Sequence, residues 1–161
     1  NPSLSLQVKH AILHIELYDE QIAEIEALYK QILDEMNTPI LSIPGMSYNQ
    51  AAVIIGCIGD IHRFEHSCQL LAYAGLDPSV IQSGNFQARS TKMSKRGSGM
   101  LRYSLVYSAH NVVKNNKTFR DYYEIKRSQG KSHYCALGHV AHKLVRIIFK
   151  MLKDNVVFNL D

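Results

Sequence analysis

Leu4, Val8, Ala11, Ile15, Tyr18, Ile22, Ile25, Tyr29, Ile32 and Met36 follow one another at alternating spacings of four and three residues. This is the a/d repeat of a left-handed coiled coil, unbroken for more than four heptads. No Gly or Pro falls between Leu4 and Pro39, so the pattern predicts one long helix over residues 4–36. Leu13, Leu17, Leu28 and Leu33 add a second apolar edge, which leaves packing on its own domain as the competing arrangement.

The pattern changes at Asn37-Thr38-Pro39, because proline disfavours helical geometry in the residue before it. The turn Ile43-Pro44-Gly45-Met46 then separates an apolar lead-in from a helical run, Ala51 to Ile58. It resembles a helix-hairpin-helix element, in which hairpin amides and a helix N-terminus meet a phosphate. Ser47 stands where that pattern has a second glycine, and an ordinary Pro-Gly turn is the plainer alternative. Residues 65–74 predict a short helix stopped by Gly75, and residues 79–99 a loop or short hairpin. Helices follow over Met100 to about Asn115, over 119–128 with a stop at Gly130, and from about His133 to Lys153. In the last helix Leu137, Ala141, Leu144, Ile148 and Met151 form an apolar stripe, and Lys143, Arg146, Lys150 and Lys153 a basic one. The reading is an all-α protein: a coiled-coil arm over residues 1–37 and a compact helical domain over 38–161.

Charge sharpens this division. Residues 1–37 hold seven acids against Lys9 and Lys30, a formal −5. From Pro78 to Arg120 there is no acid, while Arg89, Lys92, Lys95, Arg96, Arg102, Lys114, Lys117 and Arg120 give +8. So long a one-signed stretch suits a polyanion, whose counterions it releases on binding. No apolar run approaches the ~20 residues that cross a bilayer, and no signal-peptide pattern opens the chain. Three cysteines without CxxC spacing argue against a disulfide framework. Together these features suggest a cytoplasmic protein without a membrane partner. Cys135, His139 and His142 share a helix face but lack a fourth ligand, and the acids are scattered, so no metal site is expected in these residues.

Serines stud the basic stretch, and a serine hydroxyl is a weak nucleophile unless activated. Seven lie between Ser79 and Ser108, and local sequence does not choose among them. The blocks SIPGMSYNQAAVIIGCIGDIHRF, QLLAYAGLDP, QSGN, MSKRGSGMLR and GKSHYCALGHVAHKLVRIIFKML do carry a resemblance. In order and spacing they are similar to the C-terminal transposase domain of the IS-one-ten-type insertion-sequence transposases, which include the Piv-like DNA invertases. The likeness covers roughly residues 38–153, and the acidic heptad helix looks like the coiled coil that precedes this domain in the family.

The resemblance implies half of a DNA recombinase. Family members join an N-terminal RuvC-like domain, with Mg²⁺ held by four acids, to a C-terminal domain with a nucleophilic serine. These residues contain no such acid set, so the chain resembles the C-terminal part, inactive by itself. The family's Ser-Gly block falls here on Ser83-Gly84, which makes Ser83 the implied nucleophile. The expected nucleic-acid contacts are Gly45, Gly84, Arg89, Lys92, Ser94, Lys95, Arg96, Arg102, Lys143, Arg146 and Lys150. The implied partners are duplex DNA, a structured guide (bridge) RNA and further copies of the chain through residues 4–36. A non-catalytic helix-hairpin-helix module that binds nucleic acid and dimerises is the alternative.

Overall fold

A computed structural model describes residues 2–79, 82–83, 86–87 and 92–159. The chain divides into two compact units, residues 1–37 and 38–161. The first is a single helix, α1 (Pro2–Glu35). It ends at Glu35, and Asn37 takes a positive φ of 46° two residues ahead of Pro39. Its apolar residues, Leu33 and the half-buried Tyr29 apart, are exposed.

Among its described residues the second unit is helical apart from one small ladder and an isolated bridge between Pro78 and Met93. A four-residue 3-10 turn, Pro39–Ser42, leads into α2 (Tyr48–Ile58). A second 3-10 turn, Ile61–Arg63, precedes α3 (Ser67–Ala74). Strands β1 (Gln82–Ser83) and β2 (Phe86–Gln87) pair antiparallel, with Gln82 opposite Gln87 and Ser83 opposite Phe86. Then come α4 (Gly99–Asn115), α5 (Lys117–Ser128) and α6 (His133–Asp154). Among the described residues no helix is long and apolar enough to cross a membrane.

The core forms around α6. Ala136, Leu137, Val140, Ala141, Leu144, Val145, Ile148 and Met151 are all buried, so the expected apolar stripe faces inward along its whole length. Helices α3, α4 and α5 pack on it, and α2 packs on α4. On α4 the inward face is Leu101, Leu105, Ala109 and Val112, the i, i+4, i+8, i+11 set of one helix side. Each fully buried Leu or Ile contributes roughly 1.5–3 kcal/mol over its exposed state. Ser104 and Ser108 lie in the same interface; their hydroxyls donate to the Gln50 carbonyl (3.5 Å) and the Met46 sulfur (3.6 Å).

Candidate nucleic-acid interface

The basic loop before α4 is fastened to the C-terminus of α3. That end leaves carbonyls without partners inside the helix. Ser98 N–H donates to the Tyr73 carbonyl (2.7 Å) and Lys95 N–H to the Gly75 carbonyl (3.1 Å). Arg102 Nη1 donates to the Ala74 carbonyl (3.1 Å), where a cation also suits the negative end of the helix dipole. Ser94 N–H donates to the Asp77 carbonyl (2.8 Å), and the Ser94 hydroxyl to the Asp77 carboxylate. Ser98 caps α4, accepting from Leu101 N–H. These bonds hold a short rigid segment on which Lys92, Lys95 and Arg96 are exposed.

Gly97 makes the fastening possible. A Cβ built there would sit 2.0 Å from the Tyr73 oxygen and 2.6 Å from the Gly75 nitrogen. Both are backbone atoms, so neither can swing aside. Gly97→Ala is expected to destabilise the protein by about 3 kcal/mol, the upper range for overpacking. Gly56→Ala, in α2 where nothing lies within 4 Å, is expected to be neutral or to stabilise by roughly 0.5–1 kcal/mol. Thermal unfolding of both variants checks the pair, and equal melting temperatures would reject the packing argument.

Gly45 is also set by space as well as by conformation. Its φ is +90°, and a Cβ would meet the Asn111 carbonyl of α4 at 2.8 Å. The hairpin turn therefore lies against α4, closed by Met46 N–H donating to the Ile43 carbonyl (3.0 Å). Ser47, in place of a second glycine, is the N-cap of α2 and accepts from Gln50 N–H (3.3 Å). The arm before the hairpin is the 3-10 turn rather than an α-helix, because Pro39 opens it and only four residues remain before the loop.

A groove of about 800 Å³ runs beside α6. Its walls are Tyr122 of α5, the tail Val156–Asn159, and His139, His142, Lys143, Arg146 and Lys150 of α6. Among the described residues no carboxylate lines it. Phe158 anchors the tail by stacking on Phe119 (6.2 Å), while its N–H donates to Ser42 Oγ (2.8 Å). Lys143 Nζ stands over the Tyr122 ring (5.1 Å) and the Phe119 ring (5.5 Å), a cation–π arrangement. Burial lowers the His139 pKa below its ordinary value, and the cationic Lys126, the His142 imidazole and Lys131 lower it further. Lys143, Arg146 and Lys150 bring three basic side chains to the groove.

The expected basic stripe of α6 is thus split. Lys143, Arg146 and Lys150 come together in the groove, whereas Lys153 donates to the Phe64 carbonyl (2.9 Å) and joins the body. The basic loop reaches α6 one turn earlier: Met93 lies so close to Gly138 that a Cβ there would be 2.7 Å from its methyl carbon. His142 joins loop side and groove, with Nε2 2.6 Å from the Leu76 carbonyl. Neither that link nor the anchoring of the tail has a signal in sequence. Ser83 ends β1, just before the hairpin connection; its side chain, Gly84 and Arg89 lie outside the described residues. Among the described residues no group of three or more His, Cys, Asp or Glu side chains could hold a metal ion, and Cys135, His139 and His142 do not form one.

Residues 37–124 match the Transposase IS116/IS110/IS902 family. The chain belongs to that family. It is 33% identical over 141 residues to a protein of Coxiella burnetii named transposase for insertion sequence element IS1111A, covering 83% of this chain and 38% of that one. It is 28% identical to the insertion element IS110 uncharacterized 43.6 kDa protein of Streptomyces coelicolor, over 86% of this chain and 35% of the relative. The chain therefore spans little more than about a third of the length of these relatives. The family match takes in the hairpin turn, the fastened loop and α4, and ends at Glu124 within α5.

Proposed function

We propose that this chain is the nucleic-acid-binding, serine-bearing part of an insertion-sequence transposase that recombines DNA. The observation that carries this reading is the loop clamped to α3, which holds Lys92, Lys95 and Arg96 exposed within an acid-free stretch. A cationic segment already held in place by hydrogen bonds loses little freedom when it meets a phosphate backbone. The groove cations Lys143, Arg146 and Lys150 extend this surface along α6. The hairpin turn with Gly45 is a further backbone contact in this reading, and Arg102 divides its donors between the Ala74 carbonyl and a phosphate.

Ser83 is the proposed nucleophile. In the strand-exchange step the Ser83 hydroxyl gives up its proton and its oxygen bonds to phosphorus as one P–O bond of the DNA strand breaks; the displaced strand end takes up a proton and leaves as a hydroxyl, and a serine–DNA phosphodiester remains. The choice rests on the family's Ser-Gly block, and the described serines of the surrounding segment have bonds of their own. Ser79 donates to the Lys92 carbonyl, Ser94 to Asp77, Ser104 and Ser108 bond inside the core, and Ser98 caps α4. The Mg²⁺ implied by the family finds no ligand set among the described residues, so no step here runs through it. A guide RNA and self-association through α1 complete the proposed assembly.

Replacing Lys92, Lys95 and Arg96 together by glutamine is expected to weaken duplex binding by a similar factor on every sequence tested. If each touches a B-DNA phosphate, the log–log salt slope falls by about 2.7, at ~0.9 per contact. Fluorescence anisotropy at several salt concentrations reads both quantities. An unchanged slope removes the loop from the interface.

A further inference from the structure

Helix α4 carries a second face that the core does not use. Met100, Tyr103, Tyr107, His110 and Lys114 recur at the three- and four-residue spacings of one helix side, opposite the buried Leu101, Leu105, Ala109 and Val112. Tyr103 is 71% exposed and Tyr107 46%, and their rings lie nearly parallel (22°) with centroids 6.0 Å apart. At its far end the stripe meets aromatic groups from two other helices. The His110 ring meets His133 of α6 edge-on at 6.1 Å, and His133 Nδ1 is 2.7 Å from the Tyr123 hydroxyl of α5. His133 packs against Tyr134 (5.2 Å), which is 77% exposed.

We propose that this aromatic stripe is a stacking platform for the unpaired bases of a single-stranded nucleic acid. The inference rests on the nucleic-acid reading above and adds the class of strand that this face takes. The charges around it are complementary to that occupant. The whole of α4 lies in the acid-free stretch, with Lys95 and Arg96 ahead of the stripe and Lys114 at its end. Cations of this kind meet phosphates, whereas exposed tyrosine faces offer a phosphate little. They match base faces, which a duplex hides within its own stack. Base–aromatic stacking is sequence-tolerant, since every base has a π-face, and removing one ring typically costs about five- to 150-fold in affinity. A DNA strand opened during recombination presents such bases.

The test compares three probes on the chain as it is: labelled oligo-dT, an abasic strand with the same number of phosphates, and a duplex. The chain is expected to bind oligo-dT more tightly than the abasic strand. The double substitution Tyr103→Ala with Tyr107→Ala is expected to weaken oligo-dT binding at least tenfold, while abasic and duplex affinities stay within about twofold. Tyr103→Phe with Tyr107→Phe is expected to retain oligo-dT binding, because the ring and not the hydroxyl acts. Both tyrosines are exposed, and an unchanged melting temperature confirms that the alanine variant is folded. Equal wild-type affinity for oligo-dT and the abasic strand overturns the platform while leaving phosphate binding intact. So does an equal loss on all three probes, or a loss of self-association with oligo-dT binding preserved. Wild-type protein that binds none of the probes defeats the nucleic-acid reading itself.

Discussion

If the proposed function holds, replacing Ser83 by alanine in a longer transposase that contains this chain, supplied with Mg²⁺ and the proposed guide RNA, is expected to abolish the proposed covalent protein–DNA adduct. Affinity for DNA should stay within roughly tenfold, because the change removes at most one neutral hydrogen bond, worth about 0.5–1.5 kcal/mol. The adduct would be trapped under denaturing conditions, digested and mapped by mass spectrometry. The expectation is specific because most neighbouring hydroxyls already have structural duties. Ser104 and Ser108 are buried, Ser98 caps α4, and Ser79 and Ser94 donate within the loop. Ser90 is the remaining serine of the segment, and Ser90→Ala is expected to leave the adduct in place. An adduct that survives Ser83→Ala, or that maps to another serine, defeats the assignment. Lack of any adduct in the active full-length protein would favour a module that binds nucleic acid without reacting. The chain by itself is expected to bind DNA and form no adduct, since its described residues offer no metal-binding group.

The second large effect concerns α1. Its a/d residues from Leu4 to Met36 are exposed apart from the half-buried Tyr29, a stripe about 50 Å long at 1.5 Å per residue. A helix with so much apolar surface gains by burying it against a partner. Ile22, 52% exposed, sits near the middle of the repeat. Ile22→Asp would place an unpaired carboxylate in the seam, at a cost of about 3–5 kcal/mol. The dissociation constant of the assembly is then expected to rise roughly a thousandfold. Light scattering of wild type and variant across a concentration series checks this. A wild-type chain that stays monomeric at high concentration rejects self-association.

Much of this architecture is legible along the chain because its causes are local. Gly75 and Gly130 stop helices through their own backbone constraints, each at or just past a helix end, whereas α1 has already closed at the positive-φ Asn37, two residues ahead of Pro39. The stripe Leu137 to Met151 reads as core because a 3.6-residue period returns it to one side, and that side is buried. Small elements escape such reading: the 3-10 turns Pro39–Ser42 and Ile61–Arg63 are too short to show a period. Helix α5 starts at Lys117, two residues before the apolar pattern suggests, because Asn116 caps it through Phe119 N–H.

The duties of individual polar residues are decided at long range. Ser94 and Ser98 flank Lys95-Arg96, and the sequence alone assigns neither a bonding partner. In the fold one donates to Asp77, seventeen positions away, and the other caps α4. Four basic residues of α6 read as one stripe, yet Lys153 turns to the Phe64 carbonyl, 89 positions away, while three line the groove. Arg102 reads as one more cation of the loop but also caps α3. Tyr103 and Tyr107 read as ordinary helix residues until the opposite face of α4 is seen to be filled. Helix periodicity follows from hydrogen bonds between residues four apart, so a linear reading recovers which side of each helix is apolar. Which carbonyl a lysine reaches, or which serine keeps its proton free, depends on which helix ends packing brings together, and no local pattern encodes that.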